Sequence, residues 1–533
     1  MTAPVVSVAG LSVGLPDGGD RALAVEDVSL AVAPGETLCL VGESGSGKSV
    51  VAQAVMGMLP PALPVRAGRI ALEGAALPPQ RDRAFAPIRS ARMAMIFQDA
   101  GASLDPLQRV GRQLEEIARV HGMGRRAARA RVLDALGAVR LPDPARIARA
   151  YPHQMSGGQA QRVVIAGALL LDPVLLIADE PTTALDVTTQ AEILRLIADL
   201  RRARGTAVLF ITHDFGVVAD IADRIAVMRE GRVVETGDAA ALLAAPSHPY
   251  TRTLLAAATH AAAARPPRPA EPILVAEGVS LTYRSGGPFA RRETHAVRDV
   301  SLALARGRTT AVVGESGSGK SSLARCLLRL EPVDRGRIAF DGQDITRLDG
   351  APMRALRRRI QVVLQDPFGA LDPRQTVGDA VAEGPIIHGA TRAEARDRAA
   401  ELLSLVGLPP QAAARHPHAF SGGQRQRICI ARALALEPDV LIADEAVSAL
   451  DVSIQAQVLA LFASLQERLG FALLFITHDL RVAAAIADEL VVMKDGRVVE
   501  HGPAAEIFAR PRDPYTAALL AAAPGRALRD RAA

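Results

Sequence analysis

The octet GESGSGKS occurs twice, as Gly42, Glu43, Ser44, Gly45, Ser46, Gly47, Lys48, Ser49 and as Gly314, Glu315, Ser316, Gly317, Ser318, Gly319, Lys320, Ser321. Both copies satisfy GxxxxGK[ST]. Glycines let such a loop wrap and aim its N–H groups at phosphate oxygens, and the following helix adds its positive N-terminus. The lysine reaches the β- and γ-phosphates and the serine hydroxyl ligates Mg²⁺. A chance Gly-rich turn has no reason to recur at an equivalent place. Only three residues are lysine, Lys48, Lys320 and Lys494, and two of them stand in these loops. A compact ammonium fits inside the loop where a forked guanidinium does not.

Further candidates lie downstream in each copy. Asp179-Glu180 and Asp444-Glu445 follow short apolar runs, as in a Walker B element. There the aspartate holds Mg²⁺ and the glutamate polarises the attacking water. Gln98 (IFQD) and Gln365 (VLQD) follow apolar runs and are candidate metal-side groups. His213 and His478 close the later runs AVLFIT and ALLFIT. A lone histidine is usually structural. Here both copies place it at a strand end, where phosphate chemistry would sit.

Elements must bring these groups together, and the chain builds them twice. The Gly-rich loops stand 272 residues apart, while SGGQ (156–159, 421–424), IADE, ITHD and PYT each recur 265 apart. Such a period is too long for a solenoid, so each copy is a domain. The predicted division is 1–260, a Pro/Ala-rich linker at 261–272 (AAAARPPRPAEP), and 273–533. TLCLV (37–41), VLLIA (174–178) and VLIA (440–443) lack polar alternation, which suits parallel strands buried on both faces. IAVMREGRVVETG and LVVMKDGRVVEHG predict strand, turn, strand. Arg- and Ala-rich stretches at 112–140 and 391–407 predict a helical insertion on each α/β core.

These motifs resemble the ATP-binding cassette (ABC) superfamily. MSGGQAQR and FSGGQRQR, with Ser156, Gly157, Gly158, Gln159 and Ser421, Gly422, Gly423, Gln424, resemble its signature. DEPTTALD and DEAVSALD extend the likeness. The resemblance implies two tandem P-loop ABC nucleotide-binding domains, each an α/β core with an antiparallel β subdomain and a helical insertion. It also implies two ATP and two Mg²⁺ sandwiched head to tail. Lys48, Ser49, Gln98, Asp179, Glu180 and His213 would face Ser421, Gly422 and Gly423. Lys320, Ser321, Gln365, Asp444, Glu445 and His478 would face Ser156, Gly157 and Gly158. Glu180, Glu445, His213 and His478 would be catalytic, with Ser49, Gln98, Asp179, Ser321, Gln365 and Asp444 on the metal.

A narrower likeness is to oligopeptide/dipeptide importer ATPases, including fused glutathione- and microcin-type members. It rests on QDAGASLDPLQRVG, QDPFGALDPRQTVG and the PYT tails. That family implies an ATPase at the cytoplasmic face of the bacterial inner membrane. Its partners would be two permease subunits and, indirectly, a solute-binding protein, with one fused chain per transporter. The copies are not identical. Tyr283 aligns with the adenine-stacking aromatic, where the first copy has Leu15. Ala160 and Gly167 stand where the second copy has Arg425 and Arg432.

Composition narrows the classes. A net charge of +5 over 533 residues does not indicate a nucleic-acid binder. The three cysteines, Cys39, Cys326 and Cys429, form neither metal spacing nor a disulfide framework, which implies a reducing compartment and no metal cluster. The start lacks signal-peptide features, and no apolar run is long enough to span a bilayer. The competing reading is a soluble tandem ABC ATPase acting on ribosomes or nucleic acid. The short linker and the TALD and SALD loops disfavour it.

Overall fold

The computed structural model describes residues 3–16, 21–98, 100–182, 185–259, 271–285, 292–448 and 450–525. The chain divides into two compact units, one built on Met1–Leu185 and Thr189–Thr259, the other on His260–Ala523. Ten of the twelve predicted linker residues lie outside the described residues; Pro272 opens a strand that runs to Ser285.

In the first unit a six-stranded sheet has the order Arg232–Asp238, Arg224–Arg229, Thr37–Val41, Ala207–Thr212, Leu175–Asp179, Met93–Ile96. Every pairing is parallel except that of the hairpin 224–238. The apolar runs are uninterrupted because the sheet has a core on each face. Leu38 and Leu40 enter one cluster while Cys39 and Val41 enter the other. Ala207, Leu209 and Ile211 alternate in the same way with Val208 and Phe210. Such strands bury every side chain, the terminal threonines Thr37 and Thr212 included.

A second, antiparallel sheet has the order Leu23–Val32, Val6–Gly14, Val65–Leu72, Ala75–Ala76. The helical insertion contains Val110–Val120 and Arg125–Ala138. Alternating polar residues mark the antiparallel sheet as covered on one face only.

The other unit repeats the plan. Its large sheet runs Ile360–Val363, Val440–Asp444, Ala472–Ile476, Thr309–Val313, Glu489–Lys494, Arg497–Pro503. Its antiparallel sheet runs Arg292–Ala305, Pro272–Ser285, Arg335–Phe340, Gln343–Asp344. Its insertion includes Val377–Ile387 and Arg392–Leu405. The strand predicted at 174–178 is shifted by one residue, to Leu175–Asp179. Asp179 and Asp444 are therefore the last residues of their strands rather than the residues after them.

Both Gly-rich loops connect a central strand to a helix, Thr37–Val41 to Lys48–Val55 and Thr309–Val313 to Lys320–Leu327. Neither helix has a side-chain cap, and the N-cap glycines, Gly47 and Gly319, have φ of 101° and 102°. A Cβ on Gly319 would stand 2.2 Å from the Ala296 carbonyl oxygen. Gly319→Ala is expected to cost about 1–3 kcal/mol of stability through this backbone strain and to abolish nucleotide binding. Denaturant unfolding and a nucleotide titration measure both, and parent-like values in the two assays would refute the steric reading.

Candidate nucleotide-binding and hydrolysis sites

Each Gly-rich loop is closed on itself by its lysine. Lys48 Nζ donates to the Gly42 and Glu43 carbonyls, each at 2.8 Å, and reaches Ser46 Oγ at 3.4 Å. Lys320 Nζ does the same with Gly314 at 2.9 Å, Glu315 at 2.8 Å and Ser318 Oγ at 3.4 Å. Both lysines are only 5% exposed. Burial lowers the Lys320 pKa, and nearby carboxylates led by Glu445 oppose that shift. An ammonium held by neutral carbonyls at a helix N-terminus is a site for phosphate oxygens.

The residue after each lysine starts the metal-side group. Ser49 Oγ donates to Asp179 Oδ1 at 3.2 Å, and Ser321 Oγ donates to Asp444 Oδ1 at 3.0 Å. Burial pushes both aspartates above their ordinary value. The serine bond opposes that shift, and the adjacent glutamate charge adds to it. These are hard oxygen donors in a setting that a divalent cation relieves, so the residues fit Mg²⁺.

Beside them stands a three-residue cluster drawn from three strand ends. Gln98 Nε2 donates to Glu180 Oε2 at 2.9 Å, and His213 Nδ1 lies 2.9 Å from Glu180 Oε1. In the other unit Gln365 Nε2 donates to Glu445 Oε2 at 2.9 Å, and His478 Nδ1 lies 3.4 Å from the same oxygen. Gln98 and Gln365 thus turn their amide nitrogens to the glutamates. Glu180 and Glu445 have φ of 47° and 49°, a conformation non-glycine residues rarely hold. Their N–H groups bond Ile211 and Ile476 across the sheet, at 2.9 Å each. Burial raises the Glu445 pKa, but the His478 hydrogen bond and charge outweigh it and hold the carboxylate below its ordinary 4.5. His478 is held above 6.5, its burial outweighed by Glu445.

The signature segments have a local structural role as well. Ser156 caps the helix Gly157–Ala168 and Ser421 caps Gly422–Leu434, each in a capping box with Gln159 or Gln424. A Cβ on Gly158 would meet Thr189 at 2.6 Å, and one on Gly423 would meet Ile454 at 2.4 Å. The small residues therefore let this helix start pack closely while Gly157 stays exposed.

The second copy's extra arginines tie its signature helix to the segment after Gln365. Arg425 lies 3.9 Å over the Phe368 ring, and Arg432 donates to the Ala370 carbonyl at 2.5 Å. In the first unit the corresponding helix carries Ala160 and Gly167, and a cavity of about 610 Å³ is lined there by Gly167, Val164, Leu104, Phe97 and Val120. Tyr283 packs partly against the apolar cluster of its unit, and its buried hydroxyl has no hydrogen-bond partner among the described residues. Leu15 is half-buried.

Two contacts escaped the sequence reading. Arg21 donates to the Gly45 carbonyl at 2.6 Å, on the first phosphate loop. Tyr250 and Tyr515 touch the two loops through their hydroxyls. Only the recurrence of PYT signalled the second contact, and nothing signalled the first.

Residues 25–183 and again 297–448 match the family described as ABC transporter. Residues 234–298 and 499–531 match the oligopeptide/dipeptide transporter C-terminal region. The chain is 47% identical to the glutathione import ATP-binding protein GsiA of Pectobacterium atrosepticum, over 98% of this chain and 89% of that protein. It is 47% identical to the peptidoglycan transport ATP-binding protein YejF of Agrobacterium fabrum, over 98% and 97%. GsiA of Escherichia coli O6:H1 is 46% identical, over 98% and 89%. Among the described residues no helix is long and apolar enough to cross a membrane. With two phosphate loops, two glutamate clusters and two signature helices in a single polypeptide, the chain belongs to the ABC transporter family as an ATP-hydrolysing subunit with two fused cassettes.

Proposed function

We propose that this ATPase energises import of peptides or related small solutes, glutathione-like ones included, at the cytoplasmic face of a bacterial inner membrane. The observation that carries the hydrolytic part is the Gln–Glu–His cluster beside each lysine-closed loop. Similarity to import and transport ATP-binding proteins along almost the whole chain supports the transport part and disfavours the ribosome- or nucleic-acid-acting alternative. The proposed domains are 1–260 and 273–533, joined by 261–272.

In each cassette the loop N–H groups and Lys48 or Lys320 would bind the phosphates of ATP. Ser49 and Asp179 with Gln98, and Ser321 and Asp444 with Gln365, would hold Mg²⁺, which when bound neutralises charge on the phosphate oxygens. Glu180 and Glu445 accept the proton of the attacking water. Gln98 and His213, or Gln365 and His478, fix the direction of that carboxylate. Tyr283 is the proposed adenine platform of the second cassette. The signature residues Ser156, Gly157, Gly158, Gln159 and Ser421, Gly422, Gly423, Gln424 would serve head-to-tail closure on two ATP.

Two permease subunits are the proposed membrane partners, with a solute-binding protein acting through them. Exposed apolar side chains in each cassette support this, Phe97 and Leu364 among them next to Gln98 and Gln365 in sequence. They are Met58, Phe97 and Val120 in the first unit and Leu330, Leu364 and Ile387 in the second. Their burial needs a partner, and one fused chain would serve one transporter.

The double variant Glu180→Gln/Glu445→Gln keeps shape but removes the proton acceptors. It is expected to bind ATP and to lose at least about 10²-fold in turnover. Radiolabelled ATP hydrolysed at the parental rate would remove these residues from the mechanism. A second expectation concerns pH. His478 has a raised folded-state pKa, so its share of stability is complete below its ordinary 6.5 and fades as pH rises through the folded value. Glu445 has a lowered one, so its share is complete above 4.5 and fades as pH falls through the folded value. The destabilisation caused by Glu445→Gln should therefore be larger at about pH 5.5 than at about pH 9. Thermal unfolding of variant and parent at both values tests this, and an equal difference at the two would overturn it.

A further inference from the structure

The C-terminal element of each cassette ends on its phosphate loop. Tyr250 begins the helix Pro249–Thr259, and its hydroxyl accepts a hydrogen bond from the Glu43 N–H at 3.3 Å. Tyr515 begins the helix Pro514–Ala522, and its hydroxyl accepts one from the Glu315 N–H at 3.2 Å. Glu43 and Glu315 are the same residues whose carbonyls accept from Lys48 and Lys320. One residue at the loop entrance is thus held at its N–H by a tyrosine and at its C=O by the phosphate-binding lysine.

The tyrosine is itself anchored from two directions. Its ring carries a cation from the end of the neighbouring strand, Arg229 at 5.1 Å over Tyr250 and Lys494 at 4.6 Å over Tyr515. The residue before that cation, Met228 or Met493, supplies the carbonyl that a Cβ on Gly42 or Gly314 would strike at 2.3 or 2.2 Å. The chain leading to the tyrosine is fixed by a carboxylate on the hairpin. Glu235 accepts from the Ser247 N–H and Oγ at 2.7 Å each and from the His248 N–H at 3.2 Å. Glu500 accepts from the Arg512 and Asp513 N–H groups at 2.8 and 3.2 Å. Burial pushes Glu235 up, but the Thr251 side chain together with the Ser247 and His248 bonds holds it down at about 2. Burial pushes both phenols up to about 12, so the hydroxyls stay neutral.

From this geometry, and resting on the hydrolytic reading above, we infer that Tyr250 and Tyr515 are positioning residues of the two ATP sites, bracing the phosphate-loop entrance from the C-terminal segment. Packing of the C-terminal helix requires only the ring. The hydroxyl serves a group outside that helix, a loop N–H that tyrosine withdraws from the set facing phosphate. The third lysine of the chain, Lys494, belongs to this brace, and Arg229 fills the same place in the first cassette. The arrangement occurs twice, in each unit on its own residues.

Tyr250→Phe/Tyr515→Phe in the full chain removes both hydroxyls and keeps both rings. The expected result is a KM for ATP raised about five-fold, as loss of one modest hydrogen bond per site gives, with kcat within about two-fold of the parent. Equilibrium titration with ATP under non-hydrolysing conditions should show a matching loss of affinity. Tyr250→Leu/Tyr515→Leu should lower the thermal midpoint further, because the ring contacts go too. An unchanged KM and unchanged ATP affinity in the Phe variant would overturn the inference, as would a fall in thermal midpoint alone. A parent without ATPase activity would instead strike at the hydrolytic reading, and the ATP titration would then decide the brace by itself.

Discussion

Everything at these sites depends on a buried ammonium held by the carbonyls of its own loop. Lys48 and Lys320 are drawn in among Gly42, Glu43 and Ser46, or Gly314, Glu315 and Ser318, and the loop takes its shape around them. A buried cation is costly unless its donors are satisfied. Here two carbonyls and a hydroxyl satisfy it, and the charge sits at the N-terminus of the following helix. That loop must leave a central strand and enter a helix within a few residues, which forces positive φ at Gly42 and Gly47 and at their counterparts. The position of the central strand, between 207–212 and 224–229, then decides what else reaches the loop.

The neighbouring strands deliver the rest of the chemistry. Parallel strands end on one edge of the sheet, so Asp179, Glu180, His213 and Gln98 gather there although they are far apart in sequence. The glutamate backbone is held in a left-handed conformation by a hydrogen bond across the sheet. Strain of this kind persists where its surroundings over-determine it. In this case the amide of glutamine and the ring of histidine grip the side chain while the sheet grips the backbone. The two cassettes share this core and differ around it. Arg425 and Arg432 fasten the second signature helix to Phe368 and Ala370, whereas in the first the corresponding Gly167 lines a cavity.

The C-terminal segment belongs to the same mechanical system. A hairpin carboxylate seats the segment, a strand-end cation seats the tyrosine ring, and the tyrosine hydroxyl seats the loop. This gives the oligopeptide/dipeptide-type C-terminal region a direct physical connection to the nucleotide site. It also ties the turn before PYT, through the tyrosine, to the Gly-rich loop.

Much of this was legible in the residues. GESGSGKS, the acidic pairs and SGGQ carry their chemistry in local spacing, since a loop, a strand end and a helix cap are each made by a few adjacent residues. Apolar runs such as AVLFIT announced strands buried on both faces, because they lack the polar alternation of a half-exposed strand. Duplication was visible as recurrence at a fixed offset. Tertiary structure alone decided which groups meet. The glutamate's partners, the loop contact of Arg21 and the tyrosine 207 residues away from Glu43 depend on sheet order and on how hairpins fold back. The recurrence of PYT marked Tyr250 and Tyr515 in the sequence, but the partner of a tyrosine hydroxyl is not written in adjacent residues. Side-chain type and short spacing are covalent facts of the chain, whereas the meeting of distant groups exists only once the sheets have closed.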